Sequence, residues 1–398
     1  MRLVQVANVV SPTSGGLRTA LEALRHGYAE AGHEPVLIAP APRDGEVDTP
    51  AGIELRVAAP QVPGAGGYRV ITDVARVERL LRRLRPDSLE LSDRSTLVGL
   101  GPAARRLGAR AVGLNHERLD ALLARHLPWL VGGRGLAARW SRRTATGLDV
   151  VVCASGWAAA EHVDAGVTNV VRVPLGVDLA RFHPLRADAA LRRRLAGEGP
   201  LLVLASRLSA EKRPALALDA LRRLLTRGVP ATLVVAGDGP LRPTLEAEAE
   251  GLPVVFLGHL AAREDLASLL ASADVALAPG PVETFGLAAL EAMASGTPVV
   301  GSQQGALPEV VGADGGRLAY GHGAAFAAGA RALLEAGRDA RAAARRRAEG
   351  FPWSVTVERL LALHTGDPGR WPAHPLPEPG PLTPPAVRHP VGARGPAR

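Results

Sequence analysis

The 398 residues exceed what one compact core holds and predict two domains of roughly 150–200 residues; the single cysteine, Cys153, excludes a disulfide framework and any multi-cysteine metal or iron–sulfur site. The balance of 47 Lys and Arg against 39 Asp and Glu gives a net charge of +8, yet the basic residues are interleaved with carboxylates and only five Phe and three Tyr could stack on bases, which argues against nucleic acid as a partner. No run approaches the roughly 18–20 apolar residues of a membrane span, and the Leu3–Val10 run after Arg2 is too short for a secretory core, so the predicted location is cytoplasmic.

In chain order, short β-branched apolar runs alternate with longer amphipathic stretches, and they do so twice. The first half offers strands at Leu3–Val9, Pro35–Ala39, Ile53–Val57, Ser88–Leu91, Ala109–Leu114, Asp149–Cys153 and Val170–Val173. The second half offers Leu201–Ala205, Thr232–Ala236, Val254–Leu257, Val275–Ala278 and Pro298–Gly301. This alternation predicts two doubly wound α/β domains with mainly parallel sheets. A hinge is expected at Val173–Asp178, where Pro174 and Gly176 end a strand. A last amphipathic helix is expected from an N-cap at Ser354 to Leu363. Residues 366–398 hold ten of the 33 prolines without apolar periodicity, which predicts disorder. In open α/β sheets ligands collect beyond the carboxyl ends of strands, so the chemistry should lie just after them.

The first such segment is the glycine pair Gly15-Gly16, which joins the first strand to the first helix and leaves backbone N–H groups bare to a ligand. His116 follows the strand Ala109–Leu114 and should face the cleft; a lone histidine is more often a structural hydrogen bonder. Trp129, Arg134, Arg139, Trp140, Arg142 and Arg143 interleave aromatic and basic groups. That pattern suits the interface of an anionic membrane, or equally a basic surface helix with Trp140 packed inward. Ser206-Arg207 and Glu211-Lys212 follow the strand Leu201–Ala205 and can bring two cations into the cleft; Glu211 could simply be the surface partner of Lys212. Lys212 is the only lysine in the chain. Gly237-Asp238-Gly239 lacks the third glycine of a dinucleotide fingerprint and no Walker sequence occurs, which removes support for a dehydrogenase or NTPase.

The strongest segment is Pro281–Val300, which should begin a helix near Phe285 and stop it at Gly296. Free N–H groups at such a start suit a diphosphate. Glu283 in the loop and Glu291 eight residues on are separated by roughly 12 Å of helix, which lets two hydroxyl-bearing ends of one ligand meet separate carboxylates. Spacing alone favours a plainer outcome, with Glu283 solvated and Glu291 paired to a neighbouring arginine. No Asp-x-Asp spacing occurs and the 11 histidines do not cluster, so no cofactor and no catalytic metal are expected.

Taken in order, Gly15-Gly16, His116, Arg207 with Lys212, and Glu283-x7-Glu291 resemble the motifs of the family 4 retaining glycosyltransferases. Asp178 with Phe182, Gly237–Pro240 and Gly305–Glu309 add to the match, which spans nearly all of residues 1–365. The resemblance implies the GT-B fold, in which two Rossmann-like domains face a central cleft. It implies an acceptor-binding domain at 1–175, a nucleotide-sugar-binding domain at 176–350, and a helix at 351–365 that crosses back to the first. It further implies that Arg207 and Lys212 neutralise the leaving diphosphate, helped by Gly15 and Gly16. Glu291 would hold the ribose, Glu283 with the backbone of Thr284, Phe285, Gly286 and Leu287 the donor sugar, His116 the sugar near its reacting face, and Gly258 the nucleobase. The chain departs from the family pattern at Ser206, where glycine is frequent, and at Gln303-Gln304 before Gly305; neither change removes a charged group.

The stretch Asn115–Leu123 most resembles bacterial GDP-mannose-dependent α-mannosyltransferases. These act on a lipid or glycan acceptor, so peripheral attachment to the inner face of the plasma membrane is expected through Trp129, Arg139, Trp140, Arg142 and Arg143. A UDP-hexose is the alternative donor. A sugar phosphorylase using pyridoxal would need Lys212 for its Schiff base, an epimerase does not fit the paired glutamates, and a non-enzymatic sensor does not need the full charge set.

Overall fold

The computed structural model describes residues 1–8, 15–62, 67–120 and 133–366. Expectations for Trp129, for the side chain of Arg134 and for the tail beyond Gly366 lie outside these residues. The first sheet has eight strands, β1 (Arg2–Ala7), β2 (Glu34–Ala41), β3 (Gly45–Thr49), β4 (Gly52–Ala58), β5 (Ser88–Ser92), β6 (Arg110–Asn115), β7 (Val150–Cys153) and β8 (Val170–Arg172), in the order β3-β4-β2-β1-β5-β6-β7-β8. All its pairings are parallel except β3 with β4. The second sheet is wholly parallel: β9 (Leu201–Ala205), β10 (Thr232–Ala236), β11 (Val254–Gly258), β12 (Val275–Ala278), β13 (Val299–Ser302) and β14 (Gly316–Ala319), in the order β11-β10-β9-β12-β13-β14.

Helices cover both faces of each sheet. In the first domain they are α1 (Gly16–Glu30), α2 (Val74–Leu84), α3 (Leu100–Arg106), α4 (Gly133–Thr146) and α5 (Gly156–Asp164). In the second they are α6 (Ala189–Ala196), α7 (Ala215–Leu225), α8 (Arg242–Glu248), α9 (Arg263–Ser272), α10 (Leu287–Ala294), α11 (Leu307–Val311) and α12 (Gly323–Glu349). Central strands such as β1 and β9 are buried on both faces, which is why they read as continuous apolar runs. Cys153 on β7 is buried, and burial pushes its thiol up to about 12, out of the reactive range.

Two strands escape the sequence pattern. β3 is a mostly exposed polar edge strand, and β14 is a four-residue edge strand that opens on Gly-Arg, so neither carries an apolar run. The last helix, α13 (Trp353–Thr365), also corrects an expectation. Pro352 occupies its N-cap and Ser354 lies inside the first turn, because Pro352 keeps an extended ψ of 145° and helical backbone begins at the next residue. The helix near Phe285 begins at Leu287 instead, since Gly286 is left-handed.

α13 follows the second domain but packs on the first, where Val357, Leu360 and Leu363 join Leu3, Leu24, Tyr28 and Val112 in one core. Burial of such side chains is worth about 1.5–3 kcal/mol each. A buried polar cluster fixes the far end: Glu90 accepts from Tyr28 Oη at 2.6 Å and lies 3.1 Å from His364 Nε2, whose Nδ1 is 2.7 Å from Ser88 Oγ. The crossing segments touch as well. Val177 donates its N–H to Phe351 O at 2.8 Å, and Thr356 Oγ1 donates to Pro174 O at 2.9 Å. The chain therefore passes between domains twice at one place, and the two passes are bonded to each other there.

Candidate active site

In each sheet the strand order reverses beside the first strand of its domain, between β1 and β5 and between β9 and β12. A doubly wound sheet opens a crevice at that reversal. The loops after β9 and β12 are Ser206–Pro214 and Pro279–Gly286, so topology places the two charged motifs side by side. Lys212 ends a single 3-10 turn, Ala210–Lys212. Its Nζ lies 2.6 Å from Glu283 Oε1, with the side chains 26% and 21% exposed. Glu283 is therefore paired, not solvated as spacing alone favoured. The suggestion that Glu211 partners Lys212 is also corrected: Glu211 accepts from Ser209 Oγ and faces Arg207 Nη2 at 3.5 Å. Arg207 reaches the other domain, donating to Tyr68 Oη at 3.0 Å with its guanidinium over the ring.

The loop after β10 supports this arrangement. A Cβ on Gly237 would collide with Ser206 O, so only glycine permits the approach. Leu208 donates its N–H to Asp238 O at 2.9 Å, and Gly237 donates to Gly258 O at 2.7 Å. Gly258, the expected nucleobase contact, is thus tied through Gly237 to the basic loop.

Gly286 has φ +100 and turns the chain sharply into α10; a side chain there would also meet Leu307 Cδ2. Glu291 on α10 is 5% exposed and is bound by Arg263 Nη2. The pairing with an arginine that spacing suggested is present. Burial raises the Glu291 pKa, with Arg263 opposing. Arg263 in turn stacks on Phe182, 5.0 Å from the ring centroid. These three residues line a cleft of about 1400 Å³ whose opposite wall includes Arg18, Thr19 and Arg25 of α1.

Across the cleft, Gly15 caps α1 without a side-chain hydrogen bond, and the Cβ position of Gly16 lies 3.6 Å from Leu287 Cδ1. The N-termini of α1 and α10 therefore meet, one from each domain, and both present the positive end of a helix dipole. His116 stands just beyond β6, half-buried, with Nε2 3.3 Å from Ser92 Oγ; its hydrogen bond is within its own domain. Burial holds its imidazole down at about 4, so it is neutral at pH 7. Its segment is braced by buried Glu161, which pairs with Arg94 Nη2 at 2.6 Å and accepts from the Leu119 and Asp120 N–H groups.

On α4 the half-buried Trp140 donates its indole N–H to Arg94 O at 2.7 Å and carries the Arg143 guanidinium over its ring. Arg139, Arg142 and Arg143 remain exposed. Tyr68, Arg263 and Glu161 were not singled out from the sequence: each lies outside a recognisable motif, and only the fold brings Arg263 into the cleft, Tyr68 against Arg207 and Glu161 behind the His116 segment.

No helix among the described residues is long and apolar enough to cross a membrane. A family model described as Glycosyltransferase Family 4 matches residues 14–181, and one described as Glycosyl transferases group 1 matches residues 199–336. A GDP-mannose-dependent alpha-(1-6)-phosphatidylinositol dimannoside mannosyltransferase of Mycobacterium tuberculosis is 46% identical over 365 residues, covering 91% of this chain and 95% of that protein. A GDP-mannose-dependent alpha-mannosyltransferase of Corynebacterium glutamicum is 31% identical over 314 residues, 77% of this chain and 73% of that one. Among solved structures, sucrose-phosphate synthase from Thermosynechococcus elongatus superposes with a TM-score of 0.75 at 19% identity, covering 92% of this chain and 98% of that chain. The catalytic domain of starch synthase IV from Arabidopsis thaliana gives 0.70 at 16% identity, covering 92% and 99%. With the GT-B architecture, the ordered motifs and relatives spanning nearly its whole length, the chain belongs to glycosyltransferase family 4.

Proposed function

We propose that the protein transfers mannose from GDP-mannose, with retention of configuration and without a metal ion, to a hydroxyl of a phosphatidylinositol mannoside-type glycolipid. The observation that carries this reading is the 46% identity to a mannosyltransferase of that donor and acceptor across 91% of the chain. The donor is held by residues 176–350 and the acceptor by residues 1–175, with 351–365 joining them. Arg207, Lys212 and the facing starts of α1 and α10, at Gly15, Gly16 and Leu287, take the diphosphate. Electrostatic stabilisation of a departing phosphate is what such a site must supply. Glu291 holds the ribose hydroxyls and Gly258 lies by the guanine. Glu283 and the backbone of Thr284, Phe285 and Gly286 hold the mannose, with neutral His116 a hydrogen-bond partner near its reacting face. Arg139, Arg142 and Arg143 hold the first domain on the anionic inner face of the membrane.

The test is nucleotide release from GDP-mannose and from UDP-glucose, with phosphatidylinositol dimannoside as acceptor, in the presence and absence of EDTA. The expected result is acceptor-dependent GDP release that survives EDTA and is lost in Lys212→Ala and Glu283→Ala. Faster UDP release overturns the donor assignment, loss in EDTA overturns the metal-free mechanism, and undiminished turnover in both variants overturns the site.

A further inference from the structure

The carboxylate of Glu309 sits on the wrong domain for the hydrogen bonds it makes. It belongs to α11 in the second domain, yet it accepts the N–H of Gly156 at 2.8 Å through Oε2 and the N–H of Trp157 at 2.8 Å through Oε1. These are the first two amides of α5 in the first domain, groups that have no partner within their own helix. Arg172 of β8 adds a cation 3.7 Å away. Next to this contact the hydroxyl of Ser155 works in both directions: it accepts from Ala158 N at 3.0 Å as the α5 N-cap and donates to Thr284 O in the second domain at 2.7 Å.

Both ends of this contact lead to the site. On the second domain, Ala306 donates its N–H to Glu283 O at 2.8 Å, and Leu307 packs beneath Gly286, so the segment that carries Glu309 also supports the loop that carries Glu283. On the first, Arg118 donates to Trp157 O at 2.9 Å and lies over the Trp157 ring, two residues from His116. Glu161, on the same helix, accepts the Leu119 and Asp120 amides. We infer that Glu309 is a positioning residue: by capping α5 from the opposite domain it sets the His116 segment in register with the Glu283 loop, so that the two domains meet in a geometry that supports transfer.

A carboxylate suits this task because two parallel N–H groups and a helix dipole all favour a bidentate anion. The amide of Glu309→Gln has nearly the same shape but offers one acceptor and one donor, which sets a donor against a donor at one amide. The role rests on the transfer reaction proposed above, but the contact itself can be read without any donor.

The experiment compares wild type with Glu309→Gln and Glu309→Asp in the full chain. Amide hydrogen exchange at Gly156 and Trp157, measured without nucleotide, should accelerate about tenfold or more in Glu309→Gln and partly recover in Glu309→Asp. Turnover of GDP-mannose at saturating donor should fall at least tenfold in Glu309→Gln, with partial recovery in Glu309→Asp, while GDP affinity by calorimetry stays within twofold. Unchanged exchange at the two amides overturns the cap. Accelerated exchange with unchanged turnover overturns the positioning role, as does a parallel loss of GDP affinity and turnover, which would make Glu309 a support for the donor site alone. Failure of GDP to bind the wild type falls on the donor assignment, and the exchange result is read regardless.

Discussion

Lys212 and Glu283 pair at 2.6 Å, so in the proposed site a donor diphosphate must compete with Glu283 for the ammonium. Glu283→Gln keeps the shape and removes the competing charge. Exposed ion pairs contribute about 0.2–1 kcal/mol and hydrogen bonds to charged groups about 1.5–3 kcal/mol. With side chains 26% and 21% exposed, this pair falls between them, at about 1–2 kcal/mol. Released to GDP, that energy predicts affinity roughly 5- to 30-fold tighter in the variant, at 1.4 kcal/mol per tenfold. GDP lacks the mannose that Glu283 is proposed to hold, so the variant loses nothing in that titration. Turnover of GDP-mannose should move the other way: loss of a charged acceptor for the sugar hydroxyls predicts roughly a 10- to 150-fold fall in kcat. Isothermal titration with GDP and nucleotide release at saturating GDP-mannose read the two effects separately. GDP affinity that is unchanged or weaker in Glu283→Gln would refute the idea that the carboxylate holds the ammonium against the diphosphate.

Glu291→Gln should weaken GDP binding about 10- to 100-fold, the range for losing a charge-assisted hydrogen bond to ribose, with kcat at saturating donor changed less than threefold; equal GDP affinity removes Glu291 from the ribose site. His116 and His162 are both pushed down to about 4 by burial, from an ordinary 6.5, with Glu90 opposing at His116 and Arg94 adding to the effect at His162. The unfolded chain therefore binds these protons first, and the stabilisation is complete above about pH 6.5 and lost as pH falls through 4. Thermal unfolding between pH 7 and pH 4 should show a shallower acid limb in His162→Gln than in wild type, and parallel limbs would count against a neutral buried His162. Co-sedimentation with anionic liposomes should drop when Arg139, Arg142 and Arg143 are all replaced by Glu, and unchanged binding would place membrane attachment elsewhere.

The parallel strands were legible because burial on both faces forces continuous apolar runs, as in β1 and β9. β3 and β14 were not, because an edge strand needs no such run. Within the site, Lys212 and Glu283 each stood out in a loop after a strand, but their pairing across 71 residues depends on β9 and β12 being neighbours. The arginine partner of Glu291 was foreseen as a type of contact and not as Arg263, which lies at the start of a different helix. Trp140 among arginines has the composition of a membrane face, and nothing in the sequence signals that its indole N–H bonds the carbonyl of Arg94. Glu309 was marked only as the end of the Gly305–Glu309 segment, with no sign of its contact with the other domain. Its partners are backbone N–H groups, which every residue but proline carries, so α5 bears no side-chain mark of the contact.

Charge in this site is stored as matched pairs. Arg207 faces Glu211, Lys212 faces Glu283 and Arg263 holds Glu291, so three cations stand against three carboxylates. Among the described residues these three cations are each already paired, so an anion that meets them must first break a pair, while the two helix starts are open to it. A nucleotide sugar carries both of the replacements required, a diphosphate for the cations and hydroxyls for the carboxylates. Each partner released by one end of the ligand is then taken up by another part of the same molecule. Inorganic phosphate supplies only half of that exchange and leaves buried Glu291 and half-buried Glu283 without compensation, a penalty that rises with burial. In the proposed site, selection for the intact donor over free phosphate therefore follows from the pairing itself, and the chain's single lysine sits where one such exchange would take place.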